Sequence, residues 1–515
     1  MPLIHTDRTR QESALQECPR ASYYEFYGGP TGFGFQRNGA RLYAETGIAY
    51  HEIVAKILQS VQLSGLTPGK INLGLASKAR VQIRKFIAPV LQAYRNLVAK
   101  EGWGEAESLE ESTDAQENWF EEQCCLVEGM VWGFVRVVLP KFLQEFHLIS
   151  VEREEGVVLG CTCELAGEKS TNYVAHEALD CNGVWQASRP DITMQRLDDL
   201  QLGVHDWKTM KYINDYEVNK YKNSTQMAVG TVGVEKRLGV PVTHYYIHAI
   251  QRGDRRPGYV PKEGGGKGTF TGPKQQQSDF CYVTFRASNP PVIKHESVTT
   301  EGKWYQKQAV WKIEFEEKPE GISNVEWVVE QLPLEELSAN YFRIGPYERQ
   351  TFMIKSHLTQ VLHETVRNNQ RLHSIYEKVQ AGKPLREALD EEVPCSWNCR
   401  KWGYDCTYLP ICDGSIQVEN VMASGEYQAR VPHHLYELRV YQDTMGLPLS
   451  PLPEYQSDGE VLTKKPSETA AADVVAFPVR GYKEKIEEEQ KELDKFKVNK
   501  PRLVRAAKPL IKRKE

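Results

Sequence analysis

The sequence predicts an α/β protein, a mixed sheet flanked by helices with a helical insertion ahead of it. Three observations carry that expectation. Residues 76–147 read as helical, with an amphipathic run at 88–100 and a long apolar and aromatic run at 118–146. From Leu148 the pattern changes to alternating, strand-like runs that continue to Thr209. After Lys211 a helical segment returns and leads into a strand-like run at 242–253, giving the order helix, strands, helix, strand.

The totals bound the rest. A chain of 515 residues has room for two or three domains, and 40% hydrophobic with 26% charged residues is globular composition. The formal net charge of −5 means that any nucleic-acid contact comes from local patches and not from the field of the whole molecule. No apolar stretch has the length a bilayer demands, and the first residues lack a signal-peptide core, so the expectation is a cytoplasmic protein without membrane contact. Eleven cysteines, an odd number with no export signal, point to reduced thiols or metal ligation and away from a disulfide framework.

In chain order, Cys18 stands ahead of an aromatic run, 19–27, of helical character. A lone cysteine is most often a buried structural thiol. Residues 28–39 are Gly-rich but place no lysine or serine as a phosphate loop requires, and read as a flexible connector. Ile48, Ile53, Val54 and Ile57 predict a helix from about Thr46 with His51 one turn in. That histidine is either a core residue or a metal ligand, as neutral imidazole commonly is. Neighbouring Cys124 and Cys125 cannot both face one site and read as core; 105–117 is acidic and reads as a loop. Beyond Leu148, Glu152 and Glu154 fall on one face of an alternating run, and the strands are expected to form one antiparallel meander. Residues 251–279, rich in Gly, Pro, Lys and Gln, read as a mobile loop or lid. Strands at 280–285 and 292–295 and helices at 299–311 and 347–380 follow. The chain closes with a polar linker at 457–473, a charged helix and a basic end. The expected divisions are 1–59, 60–147, 148–300, 301–415 and 416–515.

Two stretches carry chemistry. In the first, Asp191 follows a proline, fourteen residues separate it from Asp206, and Lys208 stands two further on. A short strand at 202–209 puts Asp206 and Lys208 on one face and Trp207 on the other. If Asp191 ends the preceding strand, two carboxylates and an ammonium meet at one sheet end. Hard carboxylate oxygens suit Mg²⁺ or Mn²⁺, and a lysine beside them can orient a water or neutralise a phosphate. An isolated D-x-K is a weak signal, because a solvated hairpin gives the same pattern. In the second stretch Cys395, Cys399, Cys406 and Cys412 lie within eighteen residues. The density argues for metal ligation, and the gaps admit zinc or an iron–sulfur cluster.

Taken together these residues resemble the RecB-like branch of the PD-(D/E)XK nuclease superfamily, in particular its iron–sulfur members: AddB-type nuclease domains, CRISPR-associated exonucleases and phage-borne exonucleases. Five local matches fall in one order: Cys18 in a C-P-R-x-x-Y-Y context, Gly47 with His51, Asp191, Asp206-Trp207-Lys208, and Cys399, Cys406 and Cys412 spaced C-x6-C-x5-C. The resemblance implies a restriction-endonuclease-like core whose ends are stapled by a [4Fe-4S] cluster on Cys18, Cys399, Cys406 and Cys412, with zinc as the alternative. It implies a Mg²⁺ or Mn²⁺ site from His51, Asp191, Asp206 and the Trp207 carbonyl, with Lys208 beside the attacking water and Glu152 supporting from the next strand. The implied activity is a DNA exonuclease acting on single strands or duplex ends in recombination, repair or phage DNA processing. A helicase or recombination protein is the implied partner, and the host cytoplasm the location of a phage-encoded member. The match spans about residues 15–415 and has departures. Gln226 stands where the family has a DNA-contacting glutamine, but the family's following tyrosine is replaced by Gly230. Cys395 is an additional cysteine that could replace Cys399. The acidic residue before Asp191 is either Glu152 or Glu154. The competing reading is a non-catalytic nucleic-acid-binding protein with structural zinc.

Overall fold

A computed structural model of the chain describes residues 3–7, 18–29, 32–38, 42–63, 77–101, 113–161, 183–210, 213–214, 218–219, 221, 225–252, 257–260, 269–273, 318–331, 334–338, 340–348, 351–395, 400–401, 404–432, 434–448 and 461–463. The chain opens with β1 (Leu3–Asp7), α1 (Pro19–Phe26), β2 (Phe35–Arg37) and α2 (Leu42–Leu63). A helical stretch follows: α3 (Ser77–Glu101), α4 (Thr113–Gly133), a π-helical turn (Phe134–Val138) and α5 (Leu139–Glu145). Pro19 opens α1 and Pro140 sits in the first turn of α5. Proline is tolerated there because the N–H it lacks would have no intrahelical acceptor. The strand region holds β3 (Phe146–Val151), β4 (Glu155–Cys161), β5 (Gly183–Ser188), β6 (Ile192–Arg196) and β7 (Leu202–Met210). Next come α6 (Thr225–Leu238), β8 (Val242–Gln251), β9 (Pro257–Val260), β10 (Thr269–Pro273), α7 (Asn324–Gln331), α8 (Leu334–Ser338), β11 (Tyr341–Glu348), α9 (Thr351–Gln380) and α10 (Leu385–Glu392). The last elements are β12 (Arg400–Lys401), β13 (Tyr404–Asp405), α11 (Leu409–Cys412), a 3₁₀ turn (Val418–Ser424), β14 (Tyr427–Ala429) and α12 (Leu435–Met445).

The architecture is mixed α/β. Its main sheet has five strands in the order β11-β8-β7-β6-β3, and helices cover both faces. Pairs β3–β6, β6–β7 and β8–β11 are antiparallel; β7 and β8 are parallel, with α6 as the connection a parallel pair needs. On one face α2–α5 and α7 bury Ile53, Ile57, Leu58, Phe134 and Phe142 against Leu148, Met194, Trp207 and Tyr246 of the sheet. On the other, Val234 of α6 packs with Val204, Val242 and Ile247. A second sheet, β1-β5-β4, and a small core joining α1, β2, α10, α11 and β14 lie beside it, and β9–β10 and β12–β13 form two-stranded ribbons.

Several expectations change. The run from Leu148 is two strands in different sheets, and β5 leaves the main sheet, so there is no single meander. α2 begins at Leu42, four residues early, and α4 takes in 113–117. After Lys211, helical residues are described at 218–219 and 221 and then, as α6, from Thr225. Tyr347 lies in β11, an edge strand whose exposed pattern hides it from a periodicity argument, and α9 starts at Thr351. Residues 28–29 and 32–38 are built structure, not a flexible connector: β2 pairs with β14, and Gly34, at φ +92°, lies so close to the chain that a Cβ would sit 1.9 Å from the Glu25 carbonyl oxygen. The expected lid contains the β9–β10 hairpin. The strands at 280–285 and 292–295, the helix at 299–311 and the charged helix near the end lie outside the described residues. Cys124 and Cys125 are buried in the core.

Candidate metal centre

The register of the main sheet makes a notch. β6 pairs with β7 only as far as Ile192 opposite His205, while β7 runs on beside β8 to Met210. Asp206, Trp207 and Lys208 therefore border a gap where β6 begins. Asp191, one residue ahead of Ile192, fills the position across from Asp206. It opens β6 and does not end the preceding strand as expected; because β6 runs antiparallel to β7, the two carboxylates meet all the same. Asp191 Oδ2 accepts the Trp207 backbone N–H at 2.6 Å. In a strand the N–H and C=O of one residue leave on the same side, so the Trp207 carbonyl also faces the notch. The Trp207 ring is locked on the opposite face, edge-on to Phe134 at 5.2 Å and beside Phe142 and His248. Phe134 belongs to the π-helical turn, so the distortion between α4 and α5 serves to seat the indole that holds this backbone in place.

On the other side β3 ends at Val151, opposite Ile192. The next residue, Glu152, has left-handed backbone, φ +49°, and donates its N–H to the Asp191 carbonyl at 2.8 Å. A non-glycine residue rarely holds that conformation, and the turn uses it to swing the side chain into the notch. Glu152 and Glu154 thus share no strand face: Glu154 points to His434, at 3.5 Å from Nδ1, and Glu152 is the one of the two that lies beside Asp191. From above, α2 lays Gly47 over Thr209, where a Cβ would stand 3.0 Å from Oγ1, and brings His51 Nδ1 to 3.5 Å from Asp191 Oδ2. Among the described residues, ligand atoms of His51, Glu152 and Asp191 all lie within 4.8 Å of one another. Lys208 Nζ pairs with Asp206 Oδ2.

The electrostatics follow from this crowding. Asp206, 1% exposed, is pushed up to about 6 by burial and by Asp191, against the pull of Lys208. Burial and Asp191 raise Glu152 to about 8, and burial raises Asp191 although Lys208 and the Trp207 N–H oppose it. Burial and Lys208 lower His51 to about 4, so its imidazole is neutral and keeps a lone pair at neutral pH. Three carboxylates raised by burial, two of them also by Asp191, beside a neutral imidazole are a donor set a hard divalent cation fits: its positive charge would favour their ionised forms. His51, Glu152, Asp191, Asp206 and the Trp207 carbonyl are the groups that could hold it.

Gln226 falls in α6, and its side chain is outside the described residues. The cysteines gather elsewhere. Cys18, at the start of α1, packs against the same small core as Cys406 and Cys412, more than 380 positions along the chain. Cys395 Sγ lies 3.7 Å from Cys412 Sγ, and Cys399 lies outside the described residues. Burial, then Cys395, pushes the Cys412 thiol up. Among the described residues Cys18, Cys406 and Cys412 share one small core, and the sulfurs of Cys395 and Cys412 meet; thiols of this kind are chemically suited to a thiolate-bound zinc or iron–sulfur centre, although no three of them stand within 4.8 Å as the notch ligands do. Sequence reasoning missed Arg189, whose Nε stands 3.3 Å from Glu152 Oε2; its one sequence signal is its place directly before Pro190 and Asp191. No protein-family model matches the sequence, and no curated protein matches it.

Proposed function

We propose that the chain is a metal-dependent DNA nuclease with a PD-(D/E)XK-type core, an exonuclease acting on single strands or duplex ends. The observation that carries the reading is the convergence of His51, Glu152, Asp191, Asp206 and Lys208, from four separate segments, at one notch of a mixed sheet. A bound divalent cation would polarise a phosphoryl oxygen and lower the pKa of a water. The chain's own groups do the rest. Asp191 is fixed by the Trp207 N–H, Glu152 by its turn, and His51 by helix α2 across Thr209. Lys208, 23% exposed and paired with a nearly buried Asp206, is the ammonium that can reach substrate and orient the attacking water. The cysteine group would tie the segment at Cys18 to that at 395–412 around this core, as a structural zinc or [4Fe-4S] centre; phosphodiester hydrolysis transfers no electron and asks no redox step of it.

The test is cleavage of end-labelled single-stranded and duplex DNA in Mg²⁺ or Mn²⁺, with protein purified anaerobically and assayed for iron and zinc. Asp206→Ala and Lys208→Ala should abolish cleavage and leave DNA binding in place. Wild-type protein that binds DNA yet cuts it under none of these conditions would transfer the assignment to a non-catalytic nucleic-acid-binding protein.

A further inference from the structure

We propose that Arg189 is a substrate-binding residue of this site: it leaves Glu152 when that carboxylate takes a divalent cation, and grips a phosphate of the nucleic-acid backbone. The inference rests on the nuclease reading and adds to it the group that holds the substrate. Arg189 stands at the rim, its side chain 40% exposed, and the contact to Glu152 is the one ion pair it makes among the described residues. At 3.3 Å through Nε that pair is longer than a charge-assisted hydrogen bond. Other arginines nearby are committed. Arg237 grips Glu155 through Nε at 2.8 and 2.9 Å, and Arg196 holds Asp198 through two nitrogens.

The backbone beneath Arg189 is stiff. A residue before proline is confined to extended conformations. Pro190 is itself buried, its ring 3.3 Å from where a Cβ on Gly230 of α6 would lie. The backbone that carries the guanidinium is therefore fixed beside the notch, and the planar fork suits phosphate. Charge points the same way. Glu152, Asp191 and Asp206 in their ionised forms outweigh Lys208 and Arg189 by one negative charge. A divalent cation reverses that sign, and an anionic phosphate then completes it.

The experiment measures two affinities on the intact chain. Mn²⁺ alone is titrated calorimetrically, and a short labelled oligonucleotide, single-stranded and duplex, is titrated in Ca²⁺ at several salt concentrations. Arg189→Ala should weaken DNA about tenfold and reduce the slope of log affinity against log salt by about one, as loss of one phosphate contact does. The same variant should bind Mn²⁺ about threefold more tightly, because a positive charge leaves the neighbourhood of the cation. Arg189→Lys should restore the salt slope and only part of the affinity. A structural role would weaken both ligands together, and that result, or unchanged DNA affinity in a variant whose circular dichroism matches wild type, overturns the proposal. Wild-type protein that binds no DNA overturns the nuclease reading and this inference with it, before any variant is compared.

Discussion

Arg237→Ala removes the partner of a carboxylate that folding has taken out of water. Glu155 is 4% exposed, and the Arg237 guanidinium meets both of its oxygens while also donating to Ser150 Oγ at 3.1 Å. Breaking such a pair from one side costs about 3–5 kcal/mol, since the buried charge left behind has lost its guanidinium. Arg237 keeps 16% of its side chain exposed, which lets water reach the vacancy and favours the lower end, about 3 kcal/mol. α6 already packs so tightly on β4 that a Cβ on Gly233 would stand 2.6 Å from Glu155 Cβ. The assay is urea denaturation of wild type, Arg237→Ala, Glu155→Gln and the double variant. Neutralising Glu155 in the Arg237→Ala background should recover about half of the loss, because an amide is cheaper to bury than a carboxylate. A loss below about 1 kcal/mol for Arg237→Ala, or a double variant no more stable than the single one, refutes the reasoning. The pair also matters to the site, for α6 supports Pro190 through Gly230 and β4 begins three residues after Glu152.

Gly34→Ala should destabilise the β2–β14 module by about 2 kcal/mol or more, since the new methyl meets the Glu25 backbone at a positive φ; faster protease cleavage between α1 and β2 would report it, and unchanged protection would contradict it. The buried pair His205 and His248, joined by a 2.8 Å hydrogen bond, makes stability depend on pH. Burial lowers both, His248 to about 3 from 6.5, so the unfolded chain takes protons that the folded one refuses. Their stabilising contribution is full above 6.5 and is lost as pH falls towards about 3, at up to about 1.4 kcal/mol per pH unit for each proton. The raised carboxylates of the notch act with the opposite sign, so the comparison is with His248→Asn, which should flatten the loss between pH 6.5 and 5; an equal slope in both proteins would exclude the histidines as its source. Cys412→Ser should release the bound metal of anaerobically purified protein and lower its thermal midpoint, measured by iron and zinc analysis with melting curves; retention of both would detach the cysteines from any centre.

Much of the site chemistry was legible because it is local. Asp206 and Lys208 share a strand face by the two-residue alternation alone, and β7 spans 202–210 where the apolar pattern predicts a strand at 202–209. α1, the buried pair Cys124 and Cys125, and β8 follow in the same way from periodicity and composition. The choice between Glu152 and Glu154 was not legible. It depends on a register shift between Leu148 and Ser150 and on the left-handed turn at Glu152, which alternation cannot anticipate.

The sequence by itself determined which groups were available: two aspartates and a lysine at fixed spacing, a histidine one turn into an apolar helix, and cysteines on either side of the strand region. Tertiary structure alone decided which of them meet. The start of β6 at Ile192 opens the notch, α2 crosses Thr209 to deliver His51, Cys18 reaches the core that holds Cys406 and Cys412, and Arg189 stands over Glu152. The physical reason is that periodicity records a residue's own element and its burial, whereas strand order and helix docking are set by contacts between segments far apart in the chain.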